Sequence, residues 1–382
     1  MKKVLIYSLL LILGLIGSQL LGTINRDWIK WMSMFCLSFI MIHVGYEFEI
    51  DKSNPKQYVW DYVVAGTAAT FPWFFCAGYF IWFLSMNDWT EALMLARFSS
   101  PTSAGVLFSM LAAAGLSVTW VFRKARILAI FDDLDTILLM IPLKVMMVGM
   151  KWQLGVIVIV IILLLWMAWR YLHTWRLPTS WPWVMLYSVL IAATSEVIYL
   201  ASKIINDVVP VHLEVLLPAF VLGCMLARPY GHDPHIDDSR EGHQEGLSEP
   251  HEQRIATIVA AIFMVCVGLS MPQIPYETIN WIIIAFHVVC VTILSNIGKM
   301  FPLFCYRNEA TIRERLALSI AMFPRGEVGA GVLVVSMSYG LTGTALTVAV
   351  LSLALNLLLT GLFIIIVKKI IGEIPNRLIN FH

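Results

Sequence analysis

Residues 129–139 read AIFDDLDTILL, three carboxylates inside a stretch otherwise apolar enough to sit in a lipid bilayer. A charge there costs several kcal/mol if it is left unpaired, so Asp132, Asp133 and Asp135 need a reason to be present. A carboxylate removed from water takes up either a proton or a hard monovalent cation such as Na+ or Li+. Competition of the two for one site is exchange chemistry, and oxygen donors from side chains, backbone and water suit such a cation. Lys299 is a base of the right kind to balance the pair, and Arg325 and Glu327 lie in a second unusual stretch, FPRGEVGAG (323–331).

The elements that must hold these residues are membrane helices. Of 382 residues, 59% are hydrophobic and 13% charged, with a mean hydropathy of +0.80. That composition excludes a water-soluble domain and points to an all-α polytopic membrane protein. Net charge is +1, and no basic run interleaved with aromatics suggests nucleic acid. Segments long enough to cross about 30 Å of hydrocarbon fall near 3–22, 28–48, 58–84, 90–116, 121–149, 153–174, 181–203, 211–227, 254–271, 278–304, 313–338 and 342–371. Twelve spans put both termini on one side. Basic residues around 2–3, 52–56, 123–126, 170–176, 228–254, 307–315 and 368–377 share that side, against Arg26, Lys30 and Lys151 on the other. By the positive-inside rule both termini are cytoplasmic.

Depth then sorts the charges. Asp132 and Asp133 lie nine and ten residues beyond Arg123, about 14 Å into the membrane on a regular helix. Lys299 precedes Arg307 by eight residues, or about 12 Å. Acid and base are expected at one level, on helices of opposite direction. Two other segments carry helix breaks at the same depth: SSPTS (99–103) in the fourth and FPRGEVGAG in the eleventh. Pro101 and Pro324 each remove a backbone donor, and nearby hydroxyls and glycines accommodate the gap. Two broken helices at equal depth in antiparallel segments imply an inverted repeat with crossed, half-unwound helices, whose exposed ends need charged partners. Ser100, Thr102, Ser103, Arg325 and Glu327 are therefore candidates beside Asp132, Asp133 and Lys299.

The remaining features point elsewhere. Asp135 is either an additional cavity carboxylate or a packing charge, while Arg97, Lys144, Glu196 and Lys203 are expected nearer the far side, snorkelling or paired. The six cysteines show no paired spacing and read as packing residues. Met1–Leu21 lacks a cleavage motif and reads as a retained first helix. The loop 228–253 places His232, His235, His243 and His251 among acidic residues, a composition that suits a solvated linker as well as a pH or metal sensor. No soluble regulatory module is expected after the last span.

At these residues the sequence resembles the monovalent cation:proton antiporter superfamily, specifically bacterial sodium/proton exchangers with an Asp-Asp motif. SSPTSAGVLFSMLAAAGL is similar to that family's first crossover helix, ARILAIFDDLDTILL to its ion-binding helix, PRGEVGAG to its second crossover, and HVGYEFEID to an early glycine-acid motif. The resemblance implies an ion-translocating core over 58–149 and 278–371, with broken helices 90–116 and 313–338. It also implies scaffold or dimerisation helices in 1–48 and 181–227, an elevator-type movement of the core, and a homodimer in the bacterial inner membrane. Asp133 would bind the cation or protons, Asp132 would be its partner, and Lys299 would pair with Asp132; Asp135 and Arg97 depart from the family pattern. The cargo would be H+ and Na+, with Li+ or K+ as alternatives, without a cofactor, serving pH homeostasis. A sodium-coupled organic-solute symporter of related fold is the second reading. A potassium-channel filter at Val44–Glu47 is unsupported by any re-entrant loop, and the absence of Gly-x-Gly-Asp and HExxH motifs speaks against an enzyme.

Overall fold

The computed structural model describes residues 2–20, 26–46, 55–148, 152–205, 215–227, 250–271 and 281–372. Among them, regular structure is helical apart from one isolated bridge between Trp175 and Leu226. The helices are α1 (Lys2–Leu20), α2 (Arg26–Tyr46), α3 (Pro55–Phe83), α4 (Trp89–Ala96), α5 (Ala104–Ala113), α6 (Trp120–Val148) and α7 (Trp152–Arg170). They continue with α8 (Trp181–Ile205), α9 (Leu216–Met225), α10 (Pro250–Leu269), α11 (Trp281–Gly298), α12 (Ile312–Ala321), α13 (Glu327–Ser338) and α14 (Thr344–Gly372). Each of the twelve expected spans is matched by a helix, with α4/α5 and α12/α13 as the two broken ones. Six helices are each long and apolar enough to cross a membrane alone. Large apolar side chains such as Leu5, Trp82 and Ile282 are exposed by 57%, 74% and 83%, as a lipid-facing surface requires. The chain is an all-α, polytopic membrane protein.

The chain forms two compact units. The first contains α1, α3 to α5, α6 as far as Leu143, the end of α10, and α11 to α14. Within it α14 packs on α1, α11 and α12, and a Cβ at Gly14 or Gly268 would run into the facing carbonyl of Val265 or Leu11. Backbones approach that closely only where small residues meet, which is how membrane helices gain dispersion contacts without a hydrophobic driving force. Because α1 packs here, the first unit includes the first helix, whereas the resemblance groups 1–48 together as scaffold.

The second unit contains α2, α7 to α9 and most of α10. Gly45 of α2 and Gly223 of α9 lie against each other's helix backbones in the same manner. Lys30 of α2 bonds Glu196 of α8 at 2.7 Å and lies 4.6 Å from the centre of the Tyr199 ring. Glu196 is thus paired, as expected. The side chains of Lys144 and Lys203 and residues 228–249 lie outside what is described; α10 already begins at Pro250, inside the expected loop.

Candidate functional site

The crossover begins with two local stops. In the fourth span α4 tightens into a 3₁₀ turn, Arg97–Ser99, and Pro101 prevents the helix from continuing. It restarts at Ala104 with Ser103 as its N-cap, the hydroxyl accepting from the Val106 N–H at 3.4 Å. In the eleventh span α12 opens with a Thr311/Glu314 capping box and ends at Ala321; α13 starts at Glu327 behind Gly326. The two gaps touch. The Ser103 N–H donates to the Pro324 carbonyl at 2.9 Å, and the Thr102 hydroxyl to the Met322 carbonyl at 3.0 Å. A Cβ on Gly326 would stand 3.0 Å from the Ser103 hydroxyl oxygen and 3.1 Å from a Val267 methyl.

The carboxylates of α6 meet this crossing. Asp132, Asp133 and Asp135 are 0%, 1% and 4% exposed. One oxygen of Asp132, Oδ2, accepts both the Thr102 N–H at 2.6 Å and the Lys299 ammonium at 2.7 Å. A backbone donor in front of a helix start and a lysine together balance one buried carboxylate, in the manner of an anion at a helix N-terminus. Asp132 Oδ1 has no hydrogen-bond partner among the described residues.

Lys299 is fully buried but does not ride on a continuous helix. The tenth span was expected to run unbroken from 278 to 304; instead α11 ends at Gly298. Lys299 and Met300 donate to carbonyls three residues back, and a 3₁₀ turn covers Phe301–Phe304. Pro302 explains the stop, since it has no N–H for the Gly298 carbonyl one turn earlier.

Arg325 turns out to be a carbonyl clamp. Its Nε donates to Ser99 O at 2.7 Å, Nη2 to Ser295 O at 2.8 Å, and Nη1 to Asn296 Oδ1 at 2.8 Å and Phe323 O at 3.2 Å. The guanidinium therefore satisfies the C-terminal ends of the 3₁₀ turn and of α11, where a cation opposes the helix dipole. The Glu327 side chain lies outside the description. Arg97 does not snorkel: it is fully buried, stacked 4.7 Å from the Trp73 ring, with Nη1 on Ser100 Oγ and Nη2 on the Asp135 carbonyl, both at 2.9 Å. Ser100 passes the interaction on, donating to Ala69 O at 2.7 Å. Sequence depth misplaced Arg97 because the helix it ends is cut there. Among the described residues, three carboxylates and the cations Arg97, Lys299 and Arg325 are buried around the crossing, a formal balance of zero when all are charged.

A second ionic cluster escaped sequence reasoning. Lys124 of α6 lies 3.1 Å from Asp61 of α3 and 3.0 Å from Glu309, and the Tyr306 hydroxyl donates to Asp61 at 2.7 Å. Asp61 is fully buried and Lys124 is 4% exposed. Tyr306 has φ 55°, and its ring lies 4.5 Å from the Lys124 ammonium. Burial and the adjacent Asp61 carboxylate push the Tyr306 phenol up from its ordinary value. The one available signal was Asp61 itself, an acid a turn inside an apolar segment.

Comparison with known proteins agrees with this geometry. The transmembrane sodium/hydrogen exchanger family matches residues 5–370. No curated protein matches the sequence. Among 36 matching solved chains is the sodium proton antiporter MjNhaP1 from Methanocaldococcus jannaschii, at 14% identity and a TM-score of 0.55, covering 96% of this chain and 90% of that one. At that identity the likeness speaks for the fold, while the family match spans nearly the whole sequence. The chain belongs to the sodium/hydrogen exchanger family.

Proposed function

We propose that the protein exchanges Na+ for H+ across the bacterial cytoplasmic membrane, with both termini inside, using Asp133 and Asp132 as the shared cation and proton site. The observation that carries this reading is the Asp132–Lys299 pair at 2.7 Å, buried where the two broken helices meet. Asp133 beside it supplies carboxylate oxygens, and the unwound segments add carbonyls and the Thr102 and Ser103 hydroxyls, a ligand set for a hard monovalent cation. Among the described residues nothing at the crossing favours an organic solute.

The charge balance supports a coupling role for Lys299. With its carboxylates and cations all ionised, the described site sums to zero, so an arriving cation adds one charge to a low-dielectric interior. Release of the Lys299 proton restores neutrality and frees Asp132 to help hold the cation. In the proton-loaded state Asp133 also carries a proton and the described groups sum to +1, so a cycle that exchanges both protons for one cation moves two protons per cation and is electrogenic. All these residues belong to one compact unit, which supports an elevator in which that unit carries the site as a body. A homodimer is proposed on family grounds. The experiment is a pH dye trapped in proteoliposomes challenged with NaCl, LiCl or KCl. Proton movement driven by Na+ supports the reading, and none with any of the three salts overturns it.

A further inference from the structure

Asp135 counts toward the charge balance of the exchange site but has been given no ion to bind there, yet its surroundings are those of a ligand. Its Oδ2 is without a hydrogen-bond partner among the described residues, on a side chain 96% withdrawn from solvent. Arg97, the nearest guanidinium, is committed to the Asp135 main-chain carbonyl at 2.9 Å and to Ser100. Leaving a buried carboxylate oxygen unpaired costs free energy that packing alone does not return.

That oxygen lies over Gly66 of α3, where a Cβ would stand 2.8 Å from it. Gly66 also forms the floor of an open groove of about 300 Å³ along α3, lined by Tyr62, Val63, Gly66, Thr67, Thr70 and Phe71. Its hydroxyls are turned into acceptors. Thr67 and Thr70 donate their protons to the Val63 and Gly66 carbonyls, each at 2.7 Å, and the Tyr62 phenol lies beside the Asp135 carboxylate. Their remaining lone pairs place hydroxyl oxygens along a groove whose lining is otherwise largely apolar, with no cationic side chain among its six residues. Groups charged toward Asp135 from its neighbours are Arg97, Lys299 and Asp132. On α6, Asp135 is three residues from Asp132, and such residues share a face with Cβ atoms about 5–6 Å apart.

We propose that Asp135, reached over Gly66 from the groove along α3, is a separate access site that takes the transported monovalent cation before it passes one helical turn to Asp132 and Asp133. The inference rests on the antiport reading and adds a residue to it. Tyr62, Thr67 and Thr70 replace part of the ion's water shell on the way, and the width of the groove lets the rest remain.

The test is the Na+ dependence of initial exchange rates at one fixed pH, in proteoliposomes of wild type, Asp135→Asn, Thr70→Val and Gly66→Ala. Losing a charged ligand of an access site raises KM about tenfold, with the loss falling on KM rather than kcat. Thr70→Val raises KM about twofold to threefold on the same reasoning. Gly66→Ala keeps the carboxylate but crowds its free oxygen, so KM rises there too, and this variant decides the matter if Asp135→Asn does not insert. Wild-type exchange with KM unchanged in Asp135→Asn or in Gly66→Ala overturns this inference alone, as does a loss confined to kcat. A wild type that moves no protons with any alkali cation overturns the antiport reading and this site with it.

Discussion

Lys299 and Asp132 stand 2.7 Å apart, both fully buried, and the Asp132 oxygen that receives the lysine also receives the Thr102 N–H at the start of the second half of a broken helix. One oxygen thereby joins three separate elements: α6, the turn after α11, and the crossing. Any change in the charge of Lys299 is felt directly at the backbone of the crossover.

Lys299→Gln is expected to retain exchange but make it electroneutral, because one proton per cycle is lost with the ammonium. A potassium/valinomycin voltage imposed on proteoliposomes measures this: wild-type rates respond to voltage and the variant's do not. A variant as voltage-sensitive as wild type would show that Lys299 is a structural counter-ion that keeps its proton throughout.

Arg325→Met should be strongly destabilising through the backbone acceptors it leaves behind. The guanidinium serves three carbonyls and the Asn296 side chain, and buried acceptors left without a donor cost roughly 1–3 kcal/mol each. Thermal unfolding in detergent, followed by intrinsic fluorescence, would then fall by well over 10 °C. A shift of only a few degrees would mean that water replaces the clamp.

Lys124→Met leaves Asp61 buried without its cation, a loss of about 3–5 kcal/mol by analogy with other broken buried pairs. The double variant Asp61→Asn/Lys124→Met should recover most of that stability, since neither charge then remains. Equal destabilisation of the single and double variants in a thermal-shift assay would argue that the pair contributes nothing beyond packing.

Gly326→Val should push the two unwound segments apart, because the added atoms meet Ser103 and Val267 at 3.0–3.1 Å. The expected result is a raised KM for Na+ with the protein still inserted. Unaltered KM would mean that the Ser103–Pro324 contact does not shape the cation site.

The two breaks were legible because Pro101 and Pro324 stand among hydroxyl residues and glycines that favour an unwound backbone, whereas Pro72 and Pro142 lie inside unbroken helices. Depth counted at a fixed rise put Lys299 level with Asp132 and Asp133, and that count succeeded although α11 stops at Gly298, since the turn that follows is short; which of the two carboxylates takes the lysine was implied only by the family resemblance. Depth failed for Arg97, whose helix is cut at that residue, and it hid Asp61 and Lys124, which a linear reading places near a helix end and among the inside basic residues. Which neighbour an apolar helix chooses was also hidden. The packing of α1 depends on a close backbone approach at Gly14 and Gly268, and a lone glycine in an apolar run does not announce its partner.

Asp133→Asn tests the central claim most directly. An amide cannot trade a proton for a metal ion, so proteoliposomes of this variant, matched to wild type for protein content and orientation and holding a trapped pH dye, should show no proton movement when NaCl is added outside. Wild-type vesicles in the same assay should show it clearly. Exchange by Asp133→Asn at more than a trace of the wild-type rate would contradict the assignment of Asp133 as the residue that carries both ions.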